Sequence, residues 1–179
     1  MAGDTRFHAE HRFHATAQAV AGRLADPAFH LALVLPDLAE PELIAQHTDG
    51  DEVTLRLRYE YVGQLDKTAR RLLGGRRLTW VQEITVDQGF ASGSLTMEAE
   101  ANPRLLHGQA DFRIVPDPEG ARRSLDGTLT VAVPGLGSMA ERRIVPGVLH
   151  RLDVEAATLD ECLGGAPQDP GAGGSNGRL

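Results

Sequence analysis

Aromatic residues are scarce, at 4% of 179 residues, with one tryptophan and two tyrosines. Proteins that hold single strands of nucleic acid by stacking need a row of such rings, so that class is excluded. Positive charge is not in excess either. The net charge is −7, the wrong sign for a general binder of a polyanion, and no nucleic-acid partner is expected. The lone cysteine, Cys162, has no partner for an internal disulfide. With no signal-peptide pattern at the N-terminus, the expectation is a reducing, cytoplasmic setting. No stretch approaches the roughly 20 consecutive apolar residues of a membrane span. A Gly-x-Ser-x-Gly nucleophile elbow is also missing.

What is present is ordinary for a globular chain: 41% hydrophobic and 24% charged residues, enough for one domain with a sizeable core. From Thr5 to Val133 the dominant period is two. Phe7, Ala9, His11 and Phe13 share one face of a first strand. Thr16 reads as the N-cap of a short helix carrying Val20 and Leu24. Asp26-Pro27 starts a second helix, with Phe29, Ala32 and Leu33 as its apolar side. Six strands follow. Glu42–His47 turns at Asp49-Gly50 into Val53, Leu55, Leu57, Tyr59 and Tyr61. A short helical excursion over Leu65–Leu73 ends at Gly74-Gly75. The later inward faces are Leu78 to Val86, Leu95 to Ala99, Leu106 to Ile114 and Leu125 to Val133. Short connections make an antiparallel meander the economical topology.

After Pro134 the period changes. Val145, Val148, Leu149, Leu152, Ala156, Leu159 and Leu163 recur three and four apart, the pattern of one long helix. Pro146-Gly147 is expected to kink it or to split off a preceding turn. Residues 164–179 are Gly/Pro-rich with little to bury, and read as a disordered tail after a domain over 1–163. A long helix with one apolar face must bury it, and the sheet is the only large apolar surface available. Such packing leaves room for a hydrophobic ligand.

Three strings, Arg77–Glu83, Ala140–Gly147 and Arg151–Ala157, together with this element order, resemble a bacterial family of the START-like (SRPBCC) superfamily catalogued only as a domain of unknown function. The resemblance spans about residues 5–163. It implies an α+β helix-grip fold, with a curved antiparallel sheet wrapped on the C-terminal helix and a cavity between them. It also implies that the mouth is ringed by Leu35–Pro41, Gly63–Arg76, Ala101–Leu105 and Pro134–Ser138. The superfamily holds lipid carriers, cyclases and hydratases, so fold alone does not settle function.

The expected ligand-binding residues are Leu57, Tyr59, Tyr61, Trp80, Gln82, Met97, Phe112, Leu149 and Leu152. Gln82 stands out between Trp80 and Ile84, because a buried amide must find partners. It suits a ligand hydroxyl or carbonyl as well as a satisfied core position. Tyrosine and tryptophan combine apolar bodies with polar tips. Lys67, Arg70, Arg71, Arg76 and Arg77 put five positive charges in eleven residues with no acid among them. The resemblance implies that they form a basic rim, suited to an anionic head on a greasy body or to peripheral contact with an anionic membrane; a solvated face is the plainer alternative.

Catalytic signals are thin. His8, His11 and His14 are three apart, which alternates faces on a strand, and the other histidines lie on separate elements, so no metal site is expected. Gly135-x-Gly137-x-x-Ala140 matches a dinucleotide fingerprint by letters but cannot sit in a parallel βαβ unit, and no cofactor is expected. The reading is a binder of a lipid or isoprenoid-like molecule. The alternatives are a cyclase or dehydratase-type enzyme, for which only His11 and the tyrosines offer an acid or base, and a protein-interaction module with a filled cavity.

Overall fold

The computed structural model describes residues 4–65, 67–132 and 137–164, without the side chains of 68, 69, 72 and 137–143. The elements are β1 (Asp4–Phe13), α1 (Ala17–Leu24), α2 (Pro27–Ala32), β2 (Glu42–Asp49), β3 (Glu52–Glu60), α3 (Lys67–Leu72), β4 (Thr79–Asp87), β5 (Ser92–Ala99), β6 (Leu106–Asp117), β7 (Gly120–Val131) and α4 (Gly137–Gly164). The seven strands form one antiparallel sheet in the order β1-β7-β6-β5-β4-β3-β2. Strands β2 to β7 are a meander, and β1 returns to pair with β7 from Asp4↔Thr130 to Phe13↔Ala121. The curved sheet grips α4, whose side chains pack on β1, β7 and α1. This is the helix-grip architecture.

Local chemistry explains the starts of the elements. Thr16 Oγ1 accepts from Ala19 N at 3.2 Å, and Asp26 Oδ1 accepts from Ala28 N at 2.9 Å with Pro27 in the first turn. Each satisfies a backbone donor that the helix leaves open. The β2–β3 hairpin closes through Gly50 and Asp51, one residue later than Asp49-Gly50, since Asp49 already pairs with Glu52. Gly50 takes φ +58°, which a glycine adopts without a Cβ penalty.

Strand periodicity places one row across the inner face. Leu57 opposes Gln82, Gln82 opposes Met97, Met97 opposes Gly108, and Gly108 opposes Leu129. Gly108 keeps this row open: a Cβ there would lie 2.9 Å from Met97 Cγ and 3.2 Å from Leu129 Cδ1.

Three expectations need correction. In α2, Ala32 is exposed, and the buried residues beside Phe29 and Leu33 include His30. The His30 ring donates from Nε2 to Leu24 O at 2.7 Å, which offsets the burial of one ring nitrogen and ties α2 to α1. In α4, Pro146 lies within a continuous helix, so it does not split off a preceding turn. Pro146 and Gly147 are exposed, on the side where a carbonyl lacking its donor can turn to water. Gly164 belongs to α4, not to the tail. Residues 165–179 lie outside the described residues, as does Val133.

Candidate binding site between the sheet and the last helix

The space between sheet and α4 is almost filled. What remains is a cavity of about 30 Å³, room for one or two water molecules. Sheet residues Phe7, Leu95, Met97, Leu125 and Leu129 and helix residues Val148 and Leu152 supply its apolar wall, while Tyr59, Gln82, Gln109, Arg151 and Glu155 also line it. A larger trough of about 600 Å³ lies on the outer face of the sheet, between Glu52, Asp87, Asp111, Arg113 and Asp126. It is more open and more polar, and lacks the largely apolar wall of the inner space.

Of the nine residues expected to contact a ligand, Tyr59, Gln82, Met97 and Leu152 line the inner cavity. Leu57, Trp80 and Phe112 are buried in the surrounding core, and Tyr61 and Leu149 are half-buried against it; none of these five is in the lining. The reasons are local. Phe112 fills the place left by Gly93, its Cζ 2.5 Å from where a Cβ would be. Trp80 stacks on Tyr59 with centroids 5.7 Å apart and planes 14° apart, so Tyr59 stands between it and the open space. Of the connections expected at the mouth, only Leu35 reaches the lining among the described residues; residues 133–136 are outside them.

Lys67, Arg70, Arg71, Arg76 and Arg77 are all exposed on or just after α3, and none lines the cavity. Arg77 is paired, its Nη1 2.8 Å from Glu60 Oε1. Among the described residues no group of three or more His, Cys, Asp or Glu is placed to hold a metal ion. His8, His11 and His14 each face a different aspartate, Asp126, Asp153 and Asp160. Cys162 is exposed.

The charged groups around the cavity escaped sequence reasoning. Arg123 on β7 and Glu155 on α4 are both buried and paired at 2.7 Å from Nη1 to Oε1. Arg123 Nη2 also donates to His11 Nδ1 at 3.2 Å, and His11 Nε2 lies 3.0 Å from Asp153 Oδ1. An arginine can only donate, so Nδ1 must hold the lone pair and Nε2 the proton. His11 is thereby fixed as the neutral Nε2–H tautomer. Burial and then the charge of Arg123 lower its pKa, against the pull of Asp153 and Glu155. For Glu155, desolvation opposes ionisation, but Arg123, His30 and Arg151 overcome it and hold the carboxyl below its ordinary value.

Arg151 is different. Its guanidinium carbon lies 5.2 Å from the Tyr59 ring centre and 5.1 Å from that of Trp80, cation–π distances. Its Nε is sealed from solvent without a hydrogen-bond partner, and no carboxylate among the described residues lies within 4 Å of it as an ion pair. Burial lowers its pKa, with Tyr59 and Glu155 opposing. Burial pushes the Tyr59 hydroxyl up to about 12, with a lowering contribution from Arg151 and a raising one from Glu155. Tyr59 is therefore a proton donor at neutral pH. The sequence did carry a signal: Arg123 has the inward parity of Ala121 and Leu125, and Arg151 and Glu155 flank Leu152 on the apolar face of α4.

The comparisons agree with this architecture. The protein TTHA0849 from Thermus thermophilus is 16% identical, with 90% of this chain and 97% of that one covered and a TM-score of 0.63. The Zhui aromatase/cyclase from Streptomyces sp. R1128 is 13% identical over 90% and 95% of the two chains, with a TM-score of 0.56. The di-domain ARO/CYC protein BexL from the BE-7585A biosynthetic pathway is 15% identical, covering 92% of this chain and 51% of that one, with a TM-score of 0.61. At these identities the likeness is one of fold. No curated protein matches the sequence. The family described as "Protein of unknown function (DUF2505)" matches residues 8–163, and the chain belongs to that family, whose member here has a START-like, helix-grip fold.

Proposed function

We propose that the protein binds a hydrophobic small molecule, lipid or isoprenoid-like, between the sheet and α4. One observation carries this reading: a largely apolar, partly open cavity lies there whose polar lining groups are not all spent within the protein. Gln82, 5% exposed, and the Tyr59 hydroxyl form no hydrogen bond among the described residues, yet neither is sealed in. A cavity of about 30 Å³ cannot take such a ligand as it stands, so Val148 and Leu152 must move away from the sheet on binding. Apolar burial then supplies the affinity, at roughly 25 cal/mol per Å² less the ordering costs. Lys67, Arg70, Arg71, Arg76 and Arg77 would attract an anionic ligand or an anionic membrane from outside.

The small volume itself favours a second reading, an interaction module whose core has closed. A cyclase or dehydratase-type activity would draw on Tyr59 as a proton donor; His11 does not reach the lining.

Native mass spectrometry of the freshly purified protein, with solvent extraction, separates these readings. A stoichiometric lipid or prenyl-like adduct supports the container. A bare mass, together with no change in Trp80 fluorescence on titration with lipids, favours the closed module. Reversing Arg70 and Arg71 to glutamate should weaken capture by anionic liposomes at low salt severalfold, checked by co-sedimentation; unchanged capture removes the steering role.

A further inference from the structure

We infer that Arg151 is an internal receptor for an oxyanion, so that the ligand is an amphiphile whose carboxylate or enolate oxygen enters the cavity instead of staying at the rim. This deepens the binding reading above and rests on it. Among the described residues, two charged groups line the cavity, Glu155 and Arg151, and Arg123 lies behind Glu155. Glu155 is committed to Arg123 at 2.7 Å and acts on Arg151 only through its charge, which leaves Arg151 without an ion pair of its own among the described residues. A desolvated guanidinium without an ion pair is costly, and stacking on two rings offsets only part of that.

The groups around Arg151 have the same preference. Tyr59 keeps its proton and can donate, its pKa raised to about 12. The Gln82 amide can donate two hydrogens and is unspent. The buried indole Nε1 of Trp80 also lacks an acceptor, but Trp80 lies behind Tyr59, outside the lining, and contributes its ring face to Arg151. Guanidinium, phenol and amide thus share one cavity while the only carboxylate in its lining among the described residues is already paired, which suits an oxygen bearing negative charge. The exposed arginines of α3 have water as an alternative partner; Arg151 Nε has none.

The test uses decanoate and methyl decanoate, with decanol as the neutral control, all below their aggregation limits. Binding is read from the fluorescence of Trp80, the single tryptophan. The native protein should bind decanoate about tenfold or more tightly than the ester. Arg151→Met should remove that preference while leaving ester binding within about twofold, and Arg70→Glu/Arg71→Glu should retain it at high salt. Should Arg151→Met fail to fold, Arg151→Lys is read in its place; a severalfold smaller preference supports the proposal and an unchanged one overturns it. Equal affinity of the native protein for acid and ester overturns the proposal and leaves the container reading standing. A preference that survives Arg151→Met but vanishes in the α3 variant also overturns it and moves the anion to the rim. Binding of none of the three probes overturns both readings together.

Discussion

Arg123 and Glu155 form a buried ion pair that is costly to half-remove. Both are desolvated, and each is the other's counter-ion. Glu155→Leu alone would strand a buried guanidinium, with an expected loss of about 3–5 kcal/mol in urea unfolding. The double change Arg123→Met/Glu155→Leu should lose less than the sum, since an apolar pair leaves nothing unpaired. His11 adds a dependence on pH. Its pKa is lowered in the fold, so below 6.5 the unfolded chain takes up a proton that the folded protein resists. Its contribution is complete above 6.5 and declines as pH falls through the lowered value. Glu155 has the same sign in a more acidic window, starting near 4.5. His14, raised by its hydrogen bond to Asp160, acts oppositely and only weakly at its exposed site; what it adds below 6.5 is lost as pH rises. Melting curves between pH 5 and 7.5 should therefore fall on the acid side, and His11→Gln should flatten that fall.

Element by element, most of the fold was legible because its signals are local. Alternation over Val53–Tyr59 or Leu106–Ile114 needs only the pleat, and each buried position there agrees with it. Thr16 and Asp26 were readable as caps because a side-chain oxygen two or three residues before an open N–H has few other uses. Thr16→Ala should cost about 1 kcal/mol in thermal or urea unfolding; no measurable change would mean α1 is held by packing alone. The site was less legible. Reading α4 by its apolar positions passed over Arg151 and Glu155, whose burial depends on partners contributed by β3, β4 and β7, distant in sequence. His30 was missed for the same reason: its partner, Leu24 O, belongs to another helix. Placing the polar chemistry at Lys67–Arg77 followed charge density, which reports exposure more readily than function.

For the whole molecule, the balance between sheet and helix sets how much room is left inside. Gly108 lies where the central row of the sheet meets the cavity, and a methyl group there would press on Met97 and Leu129. Gly108→Ala should cost about 1–3 kcal/mol of stability by overpacking and reduce the uptake of decanoate and methyl decanoate alike, measured by the same fluorescence titration. Loss of both together would separate the volume of the cavity from its charge.

The pairing of β1 with β7 also sets an order of events during synthesis. His8 and Asp126 are neighbours in space and 118 positions apart in the chain. At a translation rate of about 5–20 residues per second, β1 leaves the ribosome on the order of ten seconds before its partner strand exists. Through that interval its face of Phe7, Ala9 and Phe13 has nothing of its own to cover it. The charges on its other side, Arg6, Glu10 and Arg12, are of the kind that discourages a strand from pairing with a stranger.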